Sequence, residues 1–216
     1  MASGKQNSSG GGALSIVYST VLEDVNNLGS YSFTVTTTAG ERRAVVFQSE
    51  GLSAGLSYNI TGATWDGDPV TSLVTAGGGN SSLVAIYMLD AKPTGSYTFT
   101  VNLTADQARA CLGIYNVLNY TGAADPQSAL ATSGTSSSVT TNVGANQAVL
   151  AASTTGNSVS YTWSNATKNY ELASEGGLTG FTAALRDPGT ANSALVVSVS
   201  HGNSSQPISL ASIVII

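Results

Sequence analysis

Apolar and polar residues alternate with period two along much of this chain. Tyr31-Ser32-Phe33-Thr34-Val35-Thr36 sets three apolar side chains against three hydroxyls, the mark of a half-buried strand, because successive strand side chains point to opposite faces. Ser96-Tyr97-Thr98-Phe99-Thr100-Val101-Asn102-Leu103 keeps the same alternation. Ala44-Val45-Val46-Phe47 and the stretch Arg109 to Val117 are continuous apolar runs and predict central strands. Ile60 to Trp65, then Asp66-Gly67, then Asp68 to Leu73 predicts a tight hairpin, since Asp-Gly accepts the positive φ angles of a type I′ turn.

Leu83 to Leu89, Ala148 to Ala152, Leu178 to Leu185 and Ala194 to Ser200 read as further strands. The last two are separated by the turn Arg186-Asp187-Pro188-Gly189, and the polar, Thr/Val-rich Ser136 to Thr141 suits a sheet edge. Ile208 to Ile216 predicts a paired strand inside a sheet. Helical periodicity is nearly absent. Thr104-Ala105-Asp106-Gln107-Ala108 predicts at most one turn between two strands, with Thr104 as its cap.

Roughly a dozen strands with frequent turns predict an all-β fold, a two-sheet antiparallel β-sandwich of jelly-roll type. No fixed-period repeat points to a solenoid or propeller. Residues 14–216 are expected to form a single sandwich domain. Residues 1–13 are expected to form an extended arm, rich in Gly, Ser and Asn from Ser3 to Gly12, with no apolar surface of its own to bury. Its polar residues Lys5, Gln6 and Asn7 are expected to lie against a neighbouring subunit as an assembly arm.

Composition narrows the function classes. Of 216 residues, 42% are hydrophobic, enough for a sizeable core, and 24 are glycine, which supplies turns for many short strands. Only 9% are charged and the net charge is −5. No run of Lys or Arg occurs, so the clustered cations that nucleic acid requires are missing. No stretch approaches the ~20 apolar residues of a membrane-spanning helix. The start Met1-Ala2-Ser3-Gly4-Lys5 has no apolar leader segment, which predicts synthesis in a host cytoplasm. The composition is nevertheless that of an exposed, extracellular protein. A virus particle reconciles the two.

Side-chain chemistry is sparse. The single cysteine, Cys111, lies in an apolar run and reads as a buried small hydrophobe. The single histidine, His201, is expected in an exposed loop, with no nucleophile-elbow motif to serve. One His and one Cys are too few for a multi-His or thiolate zinc site. Asp66 and Asp68 flank Gly67 in the Asp-x-Asp pattern that opens a calcium loop, but Pro69-Val70 follow, and the hairpin reading is preferred. Glu50, Glu171, Glu175 and Asp187 supply carboxylates, with no spacing that singles out a glycosidase pair. Asn59, Asn80, Asn102, Asn119, Asn165 and Asn203 open N-x-Ser/Thr sequons, which chance produces in so Asn- and Ser-rich a chain. No catalytic residue, metal site or cofactor is predicted. Tyr161 and Trp163 share one face of a strand and, with Tyr170 and Trp65, either fill a core or subunit interface or form a platform for sugar.

The order Ala44-Val45-Val46-Phe47, Ile60 to Val70, Val84 to Leu89, Pro93 to Val101 and Leu112 to Val117 resembles a β-sandwich module of phage virion proteins and bacterial surface proteins. The similar stretch runs from about Arg43 to Asp125, with a looser echo to Ile216. The resemblance implies a jelly-roll-like fold and a particle or surface setting, with no settled catalytic residues; the absent leader favours the phage branch. The resulting expectation is a virion structural protein, a capsid decoration or cement subunit acting by non-covalent contacts. Its partners would be the major capsid protein or other virion subunits, in a homo-oligomer for which a trimer is natural. The alternative is a glycan-binding tail-fibre or cell-surface adhesin module.

Overall fold

The computed structural model describes residues 12–51, 59–77, 82–131, 134–156, 160–173, 180–202 and 207–216. Every regular element among them is a β-strand, and every pairing is antiparallel. The first half of the chain builds one eight-stranded sheet from β1 (Ser15–Asp24), β2 (Leu28–Thr37), β3 (Arg42–Gly51), β4 (Ile60–Trp65), β5 (Asp68–Val70), β6 (Val74–Gly77), β7 (Ser82–Leu89) and β8 (Gly95–Leu118). The second half builds a five-stranded sheet from β9 (Ala123–Ala131), β11 (Ala148–Thr155), β13 (Thr167–Ala173), β14 (Gly180–Arg186) and β16 (Ile208–Ile215). It also builds a three-stranded sheet from β10 (Ser136–Val143), β12 (Tyr161–Ser164) and β15 (Asn192–His201).

The 24-residue β8 organises the first half. Its early part pairs with β2 and β4, and its later part with β1 and β3. The stretch between the two parts is where the expected helical turn falls, and the structure corrects that expectation. Thr104 to Ala108 stay in the strand, and Gln107 is in register with Leu28 on one side and Gly51 on the other. The register of β8 slips against β2, β3 and β4 in this region. Such bulges bend a strand and increase its twist. The polar interruption in the sequence therefore marks a corner rather than a helix. Here the sheet curls over itself and encloses a core of Tyr31, Phe33, Val35, Phe99 and Val101 against Val45, Phe47, Leu83, Tyr87 and Leu112.

A second core lies between the two halves. Ala44, Val46, Val84, Ile86, Cys111 and Tyr115 meet Leu150, Ala152, Tyr170, Phe181, Ala183, Ala211 and Ile213. A third joins the five-stranded to the three-stranded sheet through Val149, Ala151, Leu210 and Val214 against Val139, Tyr161, Leu195, Val197 and Val199. Strands β11 and β16 are thus buried on both faces at every residue, and β3 and β7 nearly so. That is why their sequences read as runs rather than alternations. The expected central strands and the paired C-terminal strand are all present, and Ser136 to Thr141 lies in an edge strand.

The middle core is closed by a tyrosine that needs a glycine. A Cβ on Gly113 would stand 2.5–2.8 Å from the Tyr170 ring, so only glycine lets this ring lie over β8. Gly113→Ala should cost about 1–3 kcal/mol through overpacking. The penalty should shrink when Tyr170→Leu removes the ring. Urea denaturation of the single and double variants measures this coupling; additive losses would refute the contact.

Candidate functional site

The aromatic residues singled out from sequence pack against three different cores. Tyr161 is buried with the third core, and Trp163 packs against it half-buried, its indole N–H donating to Thr182 Oγ1 at 3.0 Å. Tyr170 is buried in the middle core on the far side of the five-stranded sheet. Trp65 lies in the first core, its indole bound to the Asp90 carbonyl. Tyr161, Tyr170 and Trp65 thus lie in cores, while Trp163 keeps part of its ring exposed. Burial, with the nearby Glu50 and Glu171 carboxylates, pushes the Tyr161 hydroxyl well above the ordinary phenol range. The arm residues Lys5, Gln6 and Asn7, and Glu175, lie outside the described residues.

His201 corrects an expectation. It is the last residue of β15, only 5% exposed, with its ring 6.1 Å from that of Tyr161 and its backbone N–H donated to Thr135 O. The strand continues one residue beyond the expected Ser200 and pairs His201 with Tyr161, which carries the imidazole inside. Asp66-Gly67 forms the expected hairpin, with φ of 55° and 89°, and Lys92 neutralises Asp66 and Asp68 at 3.4 and 3.6 Å. Cys111 has no exposed surface, and burial pushes its thiol well above the usual range. Glu171 is engaged by Lys168 and the Tyr161 N–H. Among the described residues, no group of three or more His, Cys, Asp or Glu side chains is placed to hold a metal.

The feature that sequence reasoning missed is distributed over the two outermost sheet faces. On the outer face of the first half, Ser30, Ser32, Thr34 and Thr36 of β2 stand opposite Asn102, Thr100, Thr98 and Ser96 of β8, with Thr64 of β4 beyond Thr100. Ser30 bonds Asn102 at 2.7 Å and Ser32 bonds Thr100 at 2.8 Å. On the opposite outer face, Ser136, Ser138 and Thr140 of β10 stand opposite Ser200, Ser198 and Val196 of β15, which continue to Thr162 and Ser164 of β12. These side chains are exposed or half-exposed, and none of them is charged. Pairing in register turns alternation within single strands into two-dimensional arrays of hydroxyls. The alternating Ser/Thr positions were the available signal, but only the register shows that they form a continuous surface.

Charge is placed elsewhere. Asp24, Glu41, Asp66, Asp68, Asp90, Lys92 and Asp187 sit in or beside turns and bends. Asp125, at a left-handed φ of 49°, accepts Gln127 Nε2 at 2.7 Å, Thr141 Oγ1 at 2.8 Å and the Asn142 N–H, so it ties β9 to β10. These bonds to the ionised form hold its carboxyl below the usual range.

No protein-family model, curated protein or solved structure matches this chain.

Burial lowers the His201 imidazole below its ordinary value of 6.5. Above that value both folded and unfolded chains are neutral here and stability is full. As pH falls from 6.5 toward the depressed folded value, the unfolded chain takes up the proton first and stability declines. His201→Gln should flatten this slope, measured as the urea midpoint between about pH 7.5 and about pH 5.5. An unchanged slope would mean that the imidazole is not buried as a neutral ring.

Proposed function

We propose that this protein is a structural subunit of a virion, a capsid decoration or cement protein of a phage, holding the shell by non-covalent contacts. The observation that carries the reading is the pair of uncharged hydroxyl faces on opposite sides of a thick, triple-cored β-structure, which we read as stacked sandwich layers. Soluble surfaces are usually about 25–35% Lys, Arg, Glu and Asp. Interface cores deplete those residues. Burying Lys or Glu also costs up to about 2 kcal/mol of side-chain entropy, whereas a Ser or Thr side chain has few rotamers to lose. A face of short hydroxyls, partly bonded to one another, is therefore suited to packing against a neighbour without large desolvation or ordering costs.

The support for this setting is the resemblance of the order from Ala44 to Val117 to virion modules. A shell subunit needs rigidity and repeated weak contacts, and identical contacts around a particle reinforce one another through multivalency. The N-terminal arm would add backbone pairing to a neighbour by strand augmentation.

Mass spectrometry of density-gradient-purified particles tests the setting, with a copy number comparable to that of the major shell protein expected. Copies in the low tens would place the subunit in a tail or fibre, and absence would reject the virion reading. On purified particles, Thr34→Lys with Thr98→Lys should weaken rebinding by about tenfold or more, because both cations must be desolvated at the interface. The thermal midpoint of the free protein should fall by only a few degrees, because the two cations stand opposite each other in register and such a pair costs at most about 1 kcal/mol. Undiminished rebinding of this variant and of the equivalent Ser138→Lys, Ser198→Lys variant would show that neither hydroxyl face is the contact.

A further inference from the structure

At the end of the molecule where the two halves are linked, two adjoining grooves of about 480 and 400 Å³ share Gln147 in their walls. The larger is lined by Asn119, Thr121, Asn146 and Gln147 over Leu14 and Ile216; the smaller by Asp125, Asn142 and Gly144 beside Ala124. Ligand sites favour such junctions between packed units.

The walls select the chemistry of a ligand. Four side-chain amides supply donors and acceptors together, and among the described residues neither groove is lined by a Lys, Arg or His. An anionic ligand would find no counter-charge and would meet the Asp125 carboxylate. An apolar ligand would strand the amides without partners, which is costly. A cation would find one carboxylate, already accepting three hydrogen bonds. A neutral polyhydroxyl compound meets none of these objections: its vicinal hydroxyls pair with amide groups, and its C–H faces rest on Leu14, Ala124 and Ile216.

The frame is held in place. Among the described residues, three of the five non-glycine ones with left-handed backbone, Asn119, Asp125 and Asn146, lie in these walls. Asn119 Nδ2 is anchored to Ala13 O at 2.8 Å, leaving its carbonyl oxygen as an acceptor. Gln147 Oε1 accepts the Gly144 N–H at 2.6 Å, leaving its NH₂ group as a donor. The Ile216 N–H and carbonyl bond the backbone at Thr121 and Gly122, which fixes the floor.

We propose that this double groove is a binding site for a neutral oligosaccharide, a recognition function additional to the structural role. The test titrates the full-length ¹⁵N-labelled protein with maltohexaose, cellohexaose and chitohexaose. At least one should shift the amide signals of Asn119, Thr121, Asn146 and Gln147 in a saturable way. Gln147→Ala, and Asn146→Gly, which keeps the left-handed backbone, should each weaken that binding by up to about tenfold, the worth of one hydrogen bond. The thermal midpoint of Asn146→Gly should be unchanged. Absence of saturable shifts with all three sugars, or affinity unaltered in both variants, would overturn the proposal. So would equal binding of a sulfated oligosaccharide of the same length, because it would show that the groove does not select neutral ligands.

Discussion

Gln48 has no exposed surface and lies between the two halves with its whole amide engaged. Its NH₂ group donates to Ser153 O at 2.6 Å, and to Thr154 Oγ1 and Thr182 O at 3.2 Å; its carbonyl oxygen accepts the Tyr170 hydroxyl at 2.5 Å and the Cys111 thiol at 3.5 Å. An amide buried without partners costs about 1–3 kcal/mol. The two halves therefore have one relative placement that satisfies it, whereas apolar surface alone tolerates sliding. Ser82 and Ser209 repeat the device farther along the same contact, hydroxyl to hydroxyl at 2.6 Å. The Tyr170 ring reaches Gln48 only because Gly113 leaves it room.

Once that contact is set, the layers follow. The eight-stranded sheet already buries one face by curling, and the five-stranded sheet buries one face against the three-stranded sheet. Docking their remaining faces puts strands β3, β7, β11 and β16 in the interior of a structure with three cores. What remains for solvent is the outermost face on each side, and both are written in Ser and Thr. Much of the charge sits in or beside turns, where it hydrates freely, although Arg43 and Glu50 are buried in β3. This division explains how a chain with 9% charged residues presents broad polar surfaces. It is also the physical basis for reading those surfaces as contacts in an assembly.

Much of the strand content was legible because period-two alternation is a local property. Tyr31 to Thr36 and Ser96 to Leu103 declare their buried and exposed faces residue by residue, and Asp66-Gly67 declares its turn through backbone conformation. The misreadings came from positions where long-range pairing overrides local preference. Thr104 to Ala108 carries a capping residue and helix-tolerant neighbours, yet pairing on both sides keeps it extended. His201 reads as a loop residue beside Gly202 and Asn203, yet pairing with Tyr161 draws it inside. Tyr161, Trp163 and Tyr170 form one cluster in sequence but face different cores, because β12 and β13 belong to different sheets.

The sequence by itself determined that the chain is all-β, which strands are half-buried and which are central, and that Cys111 is buried. All of these follow from side-chain periodicity and transfer free energy, which act over a few residues. Only the tertiary structure decided that one strand serves two parts of a curled sheet, that Gln48 locks the halves, and that scattered Ser and Thr become two continuous faces. Those depend on strand register, and register is set by pairing partners as distant in the chain as Ser15 and Leu118, which local patterning cannot name.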